Sequence, residues 1–258
     1  MIEKLDAVLA LFTPDRPELV ASEVAQALRM PRSTTYRLLA RISSSGFLDN
    51  DPATGRYRLG IRLASLGSLA QRSTPLQRAA NPVLRRLSSE TGETATLMIR
   101  AGGMGVVVDV AEGALPVSVS RLLGGQVPLS QSAAGRVLLA WMSEPERRAL
   151  VRRDSGPQAT VPLPDPLILE RDLDGVRADG ACRLRGAQDL AFGAAAPIFA
   201  SGNAIVGALQ VGGTARTVTD ERLAELAALV ITRAAQVSAM LERVADSDAQ
   251  ARVELSRA

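Results

Sequence analysis

Arginine carries the chemistry open to this sequence. Seven arginines fall between positions 29 and 62 (Arg29, Arg32, Arg37, Arg41, Arg56, Arg58 and Arg62) against Asp49 and Asp51, a local charge of +5. Residues 1–28 sum to −3, and all 258 residues together to only +3. The distribution therefore says more than the total: one short basic stretch follows an acidic one, the footprint of a nucleic-acid contact rather than of a generally adhesive protein. Of the 30 basic residues only Lys4 is a lysine. A guanidinium is a planar fork of donors that matches phosphate oxygens and guanine edges.

Other chemistries are closed. The chain has no histidine, which removes Ser-His-Asp and Cys-His nucleophile arrangements and histidine metal ligands. Cys182 is the only cysteine, so neither an internal disulfide nor a multi-cysteine zinc site is possible. Ala101-Gly102-Gly103-Met104-Gly105 resembles a dinucleotide loop, but the third glycine is missing and a strand follows where a helix is needed. No cofactor is expected. No apolar run is read as long enough to cross a bilayer, and the acidic, amphipathic start is unlike a signal peptide, so a cytoplasmic protein without a membrane partner is expected.

The basic stretch needs elements to position it. Leu5, Val8, Leu9 and Phe12 have helical spacing over residues 4–12, and Pro14 and Pro17 end that helix. Ser22 is expected to cap a second helix with Val24, Ala25 and Leu28 inward. After the turn at Met30-Pro31, a third helix runs from Arg32 to Ser45, stopped by Gly46. At 100° per residue, Thr34, Leu38 and Ile42 share one arc with Thr35 and Leu39 on its flank. The opposite arc holds Arg32, Ser33, Tyr36, Arg37 and Ala40. Such a face suits a major groove, and Arg32, Ser33, Thr34, Tyr36 and Arg37 are expected to touch DNA there. Residues 47–50 and 56–59 alternate as strands about the turn Asp51–Gly55, with Tyr57 and Leu59 inward. Arg56 and Arg58 then point outward on a wing, toward phosphates or an adjacent minor groove.

Over these sixty residues the resemblance becomes specific. Ser22-Glu23-Val24-Ala25, Met30-Pro31-Arg32-Ser33-Thr34-Thr35-Tyr36-Arg37-Leu38-Leu39, Gly46-Phe47-Leu48 and Thr54-Gly55-Arg56-Tyr57-Arg58-Leu59-Gly60 resemble, in order and spacing, the IclR family of bacterial regulators. The expected organisation is a winged helix-turn-helix over 1–60, a helical linker over 61–74, an effector-binding domain over 75–245 and a polar, frayed tail over 246–258.

The larger domain mixes helices (from Ser132, over Pro145–Arg152 and Asp165–Asp179, and from Thr219) with strands at Thr94–Arg100, Val106–Glu112, Val117–Arg121, Phe192–Phe199 and Ala204–Gly212. Without a strict βαβ rhythm this is an α+β domain on an antiparallel sheet. Residues Pro128–Arg136 and Ala194–Phe199 resemble segments of the family's GAF-like effector domain. The resemblance implies a pocket, and the expected lining is Met98, Leu123, Gln131, Ser132, Ala133, Ala134, Phe192, Gly193, Gln210 and Gly212. Free N–H groups of Ser132, Ala133 and Ala134 at a helix start are expected to bind a carboxylate or carbonyl oxygen. Family members that take small oxo-acids use a carboxylate, a cysteine and serines. The counterparts here, Leu184 or Arg185, Gly193, Gln210 and Gly212, lack that pattern. Small residues beside apolar ones fit a bulkier ligand, such as an aromatic carboxylate or a derivative.

The expected function is a regulator binding double-stranded DNA at a pseudo-palindromic operator as a homodimer or tetramer, and responding to a small effector. The alternative is a DNA-binding regulator whose second domain serves oligomerisation alone. An enzyme is disfavoured.

Overall fold

The computed structural model describes residues 2–13, 16–114, 123–154, 165–185, 191–214 and 218–255, which fold as two compact units, Met1–Ser73 and Thr74–Ala258. The expected strand Val117–Arg121 and most of the proline-rich stretch 157–166 lie outside the described residues.

In the first unit α1 (Ile2–Leu9), α2 (Ala21–Ala27) and α3 (Arg32–Ser44) pack around Val8, Leu19, Val24, Leu39, Ile42, Leu48 and Tyr57. The hairpin β2 (Leu48–Asp51) and β3 (Arg56–Leu59) turns on Asp51, whose carboxylate accepts from the Ala53 N–H at 2.9 Å and the Thr54 hydroxyl at 2.8 Å. Gly55 closes that turn with φ +66°. A short strand that periodicity cannot reveal, β1 (Glu18–Val20), adds to the outer edge of β3, giving the order β1-β3-β2. This strand moves the start of α2. The chain enters the helix at Val20, whose N–H donates to the Glu23 carboxylate at 2.8 Å, so Ser22 lies inside the helix and is not its cap. Leu59, expected inward, is 48% exposed at the end of its strand. The next helix, α4 (Ile61–Ser73), also belongs to this unit, and its Leu66 and Leu69, expected inward, are exposed.

The second unit is built on an antiparallel sheet with the order β6-β5-β4-β9-β8-β7 among the described residues. Its strands are β4 (Thr94–Ala101), β5 (Met104–Ala111), β6 (Gln126–Pro128), β7 (Cys182–Arg185), β8 (Phe192–Ala200) and β9 (Ala204–Gly213). The rejected dinucleotide loop is the β4–β5 turn: Gly102 and Gly103 both take positive φ, as a two-residue hairpin requires. Helices α5 (Pro75–Thr91) and α9 (Asp220–Leu255) cover one sheet face; α6 (Ala133–Ala140), α7 (Glu144–Asp154) and α8 (Pro166–Asp179) lie with the other. The strands alternate accordingly. Leu209 and Val211 of β9 join the α5/α9 core, whereas Ala208 joins the α6/α8 core.

Two further expectations need correction. Over Asp220–Val244 α9 is long and apolar enough to cross a membrane by length and composition. Its apolar stripe has another use: Leu223, Leu226, Val230, Ala234 and Val237 are buried in the core shared with β8. The Arg233 guanidinium also ties it to α5 through Glu90, at 2.7 and 2.5 Å, and holds that carboxyl below the ordinary range. The helix continues to Leu255, so residues 246–255, expected as a polar tail, are helical.

Candidate DNA interface and effector site

On α3 the buried residues are Thr35, Leu39 and Ile42. The inward arc is therefore centred one residue later than expected, and Thr34 and Leu38 stand half-buried on its border. The Thr35 hydroxyl donates to the Pro31 carbonyl at 3.1 Å, which satisfies its one polar group inside the core. Arg32, Ser33, Tyr36, Arg37, Ala40 and Arg41 form the exposed side, and Tyr36 is 56% exposed. Among the described residues the guanidinium groups of Arg32, Arg37 and Arg41 have no ion pair or hydrogen bond. A cationic row without internal partners along the exposed side of a helix offers its donors outward.

The wing is electrostatically different. The register sets Arg58 between Glu18 on one side and Asp49 on the other. Arg56 reaches Glu18 at 3.8 Å and Arg58 reaches Asp51 at 4.0 Å, both near the limit of an ion pair and half-exposed. Such contacts are worth little and break readily. They still dilute the wing's positive field. Because β1 is invisible to periodicity, sequence reasoning missed Glu18 as the neighbour of Arg58. Arg62 is committed to structure: it donates to the Ser45 carbonyl at 2.8 Å and stacks over Phe47 at 5.0 Å.

At the expected effector site, Ser132 caps α6, its hydroxyl accepting from the Gly135 N–H at 3.0 Å. Gln210 lies on the α6 side of β9, and its carbonyl oxygen accepts from the Ala134 N–H at 2.9 Å. Two of the amino-terminal donors of α6 are thus satisfied internally, and Ala134 is not the free donor expected. Gly193 does not open space there. A Cβ on it would stand 3.1 Å from that of Ala133 and 3.5 Å from the Gln210 carboxamide carbon. Gly212 likewise faces the Phe192 carbonyl oxygen, at 2.7 Å from a Cβ position. Met98 is buried with its sulfur 3.8 Å from the Ser132 hydroxyl, Gln131 is half-buried, and Leu123 is 48% exposed. Phe192, expected in the lining, packs instead into the α5/α9 core on the opposite face of the sheet, because strand alternation turns Gly193 toward α6. Arg185 turns away to the start of α9, donating to Asp220 at 2.8 Å and the Val218 carbonyl at 3.0 Å.

These two arrangements belong to one kind of protein. Residues 2–52 match the profile of the IclR helix-turn-helix domain, and residues 69–239 that of the bacterial transcriptional regulator IclR C-terminal domain. The chain belongs to the IclR family. A 150-residue stretch is 32% identical to the regulator XynR of Escherichia coli K12, spanning 58% of this chain and 60% of that protein. The repressor IclR of the same organism is 29% identical over 223 residues, 84% of this chain and 81% of its own. Among solved structures, an IclR regulator from Alicyclobacillus acidocaldarius superposes with a TM-score of 0.80 at 23% identity, covering 93% of this chain and 99% of its own. An IclR homologue from Microbacterium hydrocarbonoxydans, complexed with 4-hydroxybenzoate, gives 0.77 at 24% identity, covering 93% and 98%. As an IclR-family member the chain is a DNA-binding transcription regulator and not an enzyme.

The one cysteine of this IclR-family chain sits on β7. Cys182 is 3% exposed, and burial pushes its thiol up to about 11. Thiol reagents should therefore leave the folded protein unmodified at neutral pH and titrate one equivalent after denaturation. Rapid labelling of the native protein would contradict this burial.

Proposed function

We propose that this regulator reads a pseudo-palindromic operator as a homodimer, or a pair of dimers, and is controlled by an aromatic carboxylate or a derivative. The observation that carries the DNA half is the row of unpaired guanidinium groups on the exposed side of α3. Arg32, Ser33, Thr34, Tyr36 and Arg37 enter the major groove, and Arg56 and Arg58 leave their weak acidic contacts for phosphate. Two-fold pairing doubles a contact that one helix and one wing make too small for tight binding. The apolar residues exposed on α4, Ile61, Leu66 and Leu69, are the surface for that pairing.

The effector half is supported by the 4-hydroxybenzoate carried by the Microbacterium homologue, and by the buried apolar Met98 beside the head of α6. An anionic ligand reaches the Ala134 N–H by displacing the Gln210 carboxamide. The second reading, a carboxy-terminal unit used for assembly alone, is favoured by that same Gln210 bond and by the close Gly193–Ala133 approach.

Thermal denaturation with benzoate, 4-hydroxybenzoate and their amides decides between the two. A ligand present at a hundred times its Kd adds about 2.7 kcal/mol, a shift easily seen. Absence of any shift, with no heat in calorimetry, would leave assembly as the role of this unit. A sedimenting monomer with full operator affinity would remove the dimer.

A further inference from the structure

Arg29 occupies the turn between α2 and α3 in a left-handed conformation, φ +50°. Among the described residues every other position of positive φ belongs to a glycine, eight in all, or to Asn203. Glycine adopts this region freely, and asparagine is enriched there for a non-glycine residue. A long side chain pays a steric cost between its Cβ and the backbone. The position accordingly favours glycine, and arginine is held there against the local preference.

The Arg29 side chain does nothing inside the chain that would offset this. It is exposed, and among the described residues its guanidinium takes part in no ion pair or hydrogen bond. Its N–H does bond, to the Gln26 carbonyl at 3.3 Å, but any residue except proline would supply that group. Three residues further on, α3 begins with Arg32, followed by Arg37 and Arg41, all likewise without partners.

We propose that Arg29 is a phosphate-contacting residue, extending the cationic row of α3 onto the turn before it and gripping the DNA backbone beside the groove that α3 enters. The inference rests on the DNA-binding reading of α3. A competing structural role exists: a cation just beyond α2 would favour the negative end of that helix. The two roles predict opposite changes in stability.

The test uses the full chain, a DNA duplex of arbitrary sequence and fluorescence anisotropy from about 50 to 200 mM salt, because phosphate contacts are read as the slope of log affinity on log salt. Arg29→Gly should flatten that slope by about 0.9 for each contacting chain. It should also raise the melting transition of the amino-terminal unit by about 2–6 °C, since the strain is relieved. Arg29→Lys should keep the parental slope. An unchanged slope in Arg29→Gly, or a fall in its melting temperature, overturns the proposal in favour of the helix-end role. If the parent itself shows no salt-dependent binding, the reading of α3 fails, and Arg29 falls with it. Flattening by Arg58→Ala but not by Arg29→Gly removes Arg29 alone.

Discussion

Replacing Arg37 with alanine is expected to weaken binding to an operator, recovered by selection from random duplexes, by about 2–6 kcal/mol per dimer. One arginine donating to a base edge is worth about 1–3 kcal/mol, and a two-fold complex loses the contact in both half-sites. The side chain has no partner within the described residues, so its removal should leave the melting temperature nearly unchanged. The loss should also be uneven across sequences, relaxing preference at one base pair in each half-site. Arg56→Ala should cost less, because Arg56 must first leave Glu18 at 3.8 Å, and its loss should weaken all duplexes alike. Arg62→Ala should instead lower stability, since that guanidinium holds Ser45 and Phe47. Gel-shift or anisotropy titrations at one fixed moderate salt concentration separate the three. Parental operator affinity in Arg37→Ala would place the DNA face elsewhere.

A second substitution should act on the carboxy-terminal unit alone. Gly135, in the first turn of α6, approaches the backbone of Leu129 so closely that a Cβ would overlap the Leu129 carbonyl oxygen and lie 2.7 Å from the carbonyl carbon and from Cα. Backbone cannot rotate aside as a side chain can. Alanine there must drive α6 away from the 3-10 turn Leu129–Gln131, breaking the Ala134–Gln210 bond and opening the core under Val137 and Leu138. The expected loss is about 3 kcal/mol or more, at the upper end of overpacking costs. Gly175→Ala, in the same unit on α8, is the control: nothing lies within 4 Å of its added Cβ. It should stabilise the unit by about 0.5–1 kcal/mol through helix propensity. Urea unfolding of both variants measures the contrast, and a Gly135→Ala protein within about 1 kcal/mol of the parent would mean that α6 is free to shift.

These predictions draw on two kinds of information. Periodicity and end signals within a dozen residues are enough to specify α3, its stop at Gly46, the hairpin closed by Gly55, the start of α6 near Ser132, and α8 between Asp165 and Gly180. Local sterics and backbone hydrogen bonding determine such features, and both are encoded by neighbouring residues. The outward arginines of α3 were legible for the same reason, since a helix face follows from spacing alone.

What the spacing could not contain is which distant segment arrives beside which. The three residues of β1 are too few to show a period, yet their pairing with β3 brings Glu18 next to Arg58 and weakens the wing's charge. Gln210 stands 76 positions from Ala134, and only the stacking of β9 beneath α6 lets its carboxamide take a donor that looked free. Gly193 reads equally well as empty volume or as close packing until Ala133 is found 3.1 Å from its Cβ position. The apolar stripe of α9 suits a membrane or a core until β8 covers it. Long-range packing settled each of these, because burial and the satisfaction of a buried polar group depend on the partner supplied and not on the residue alone.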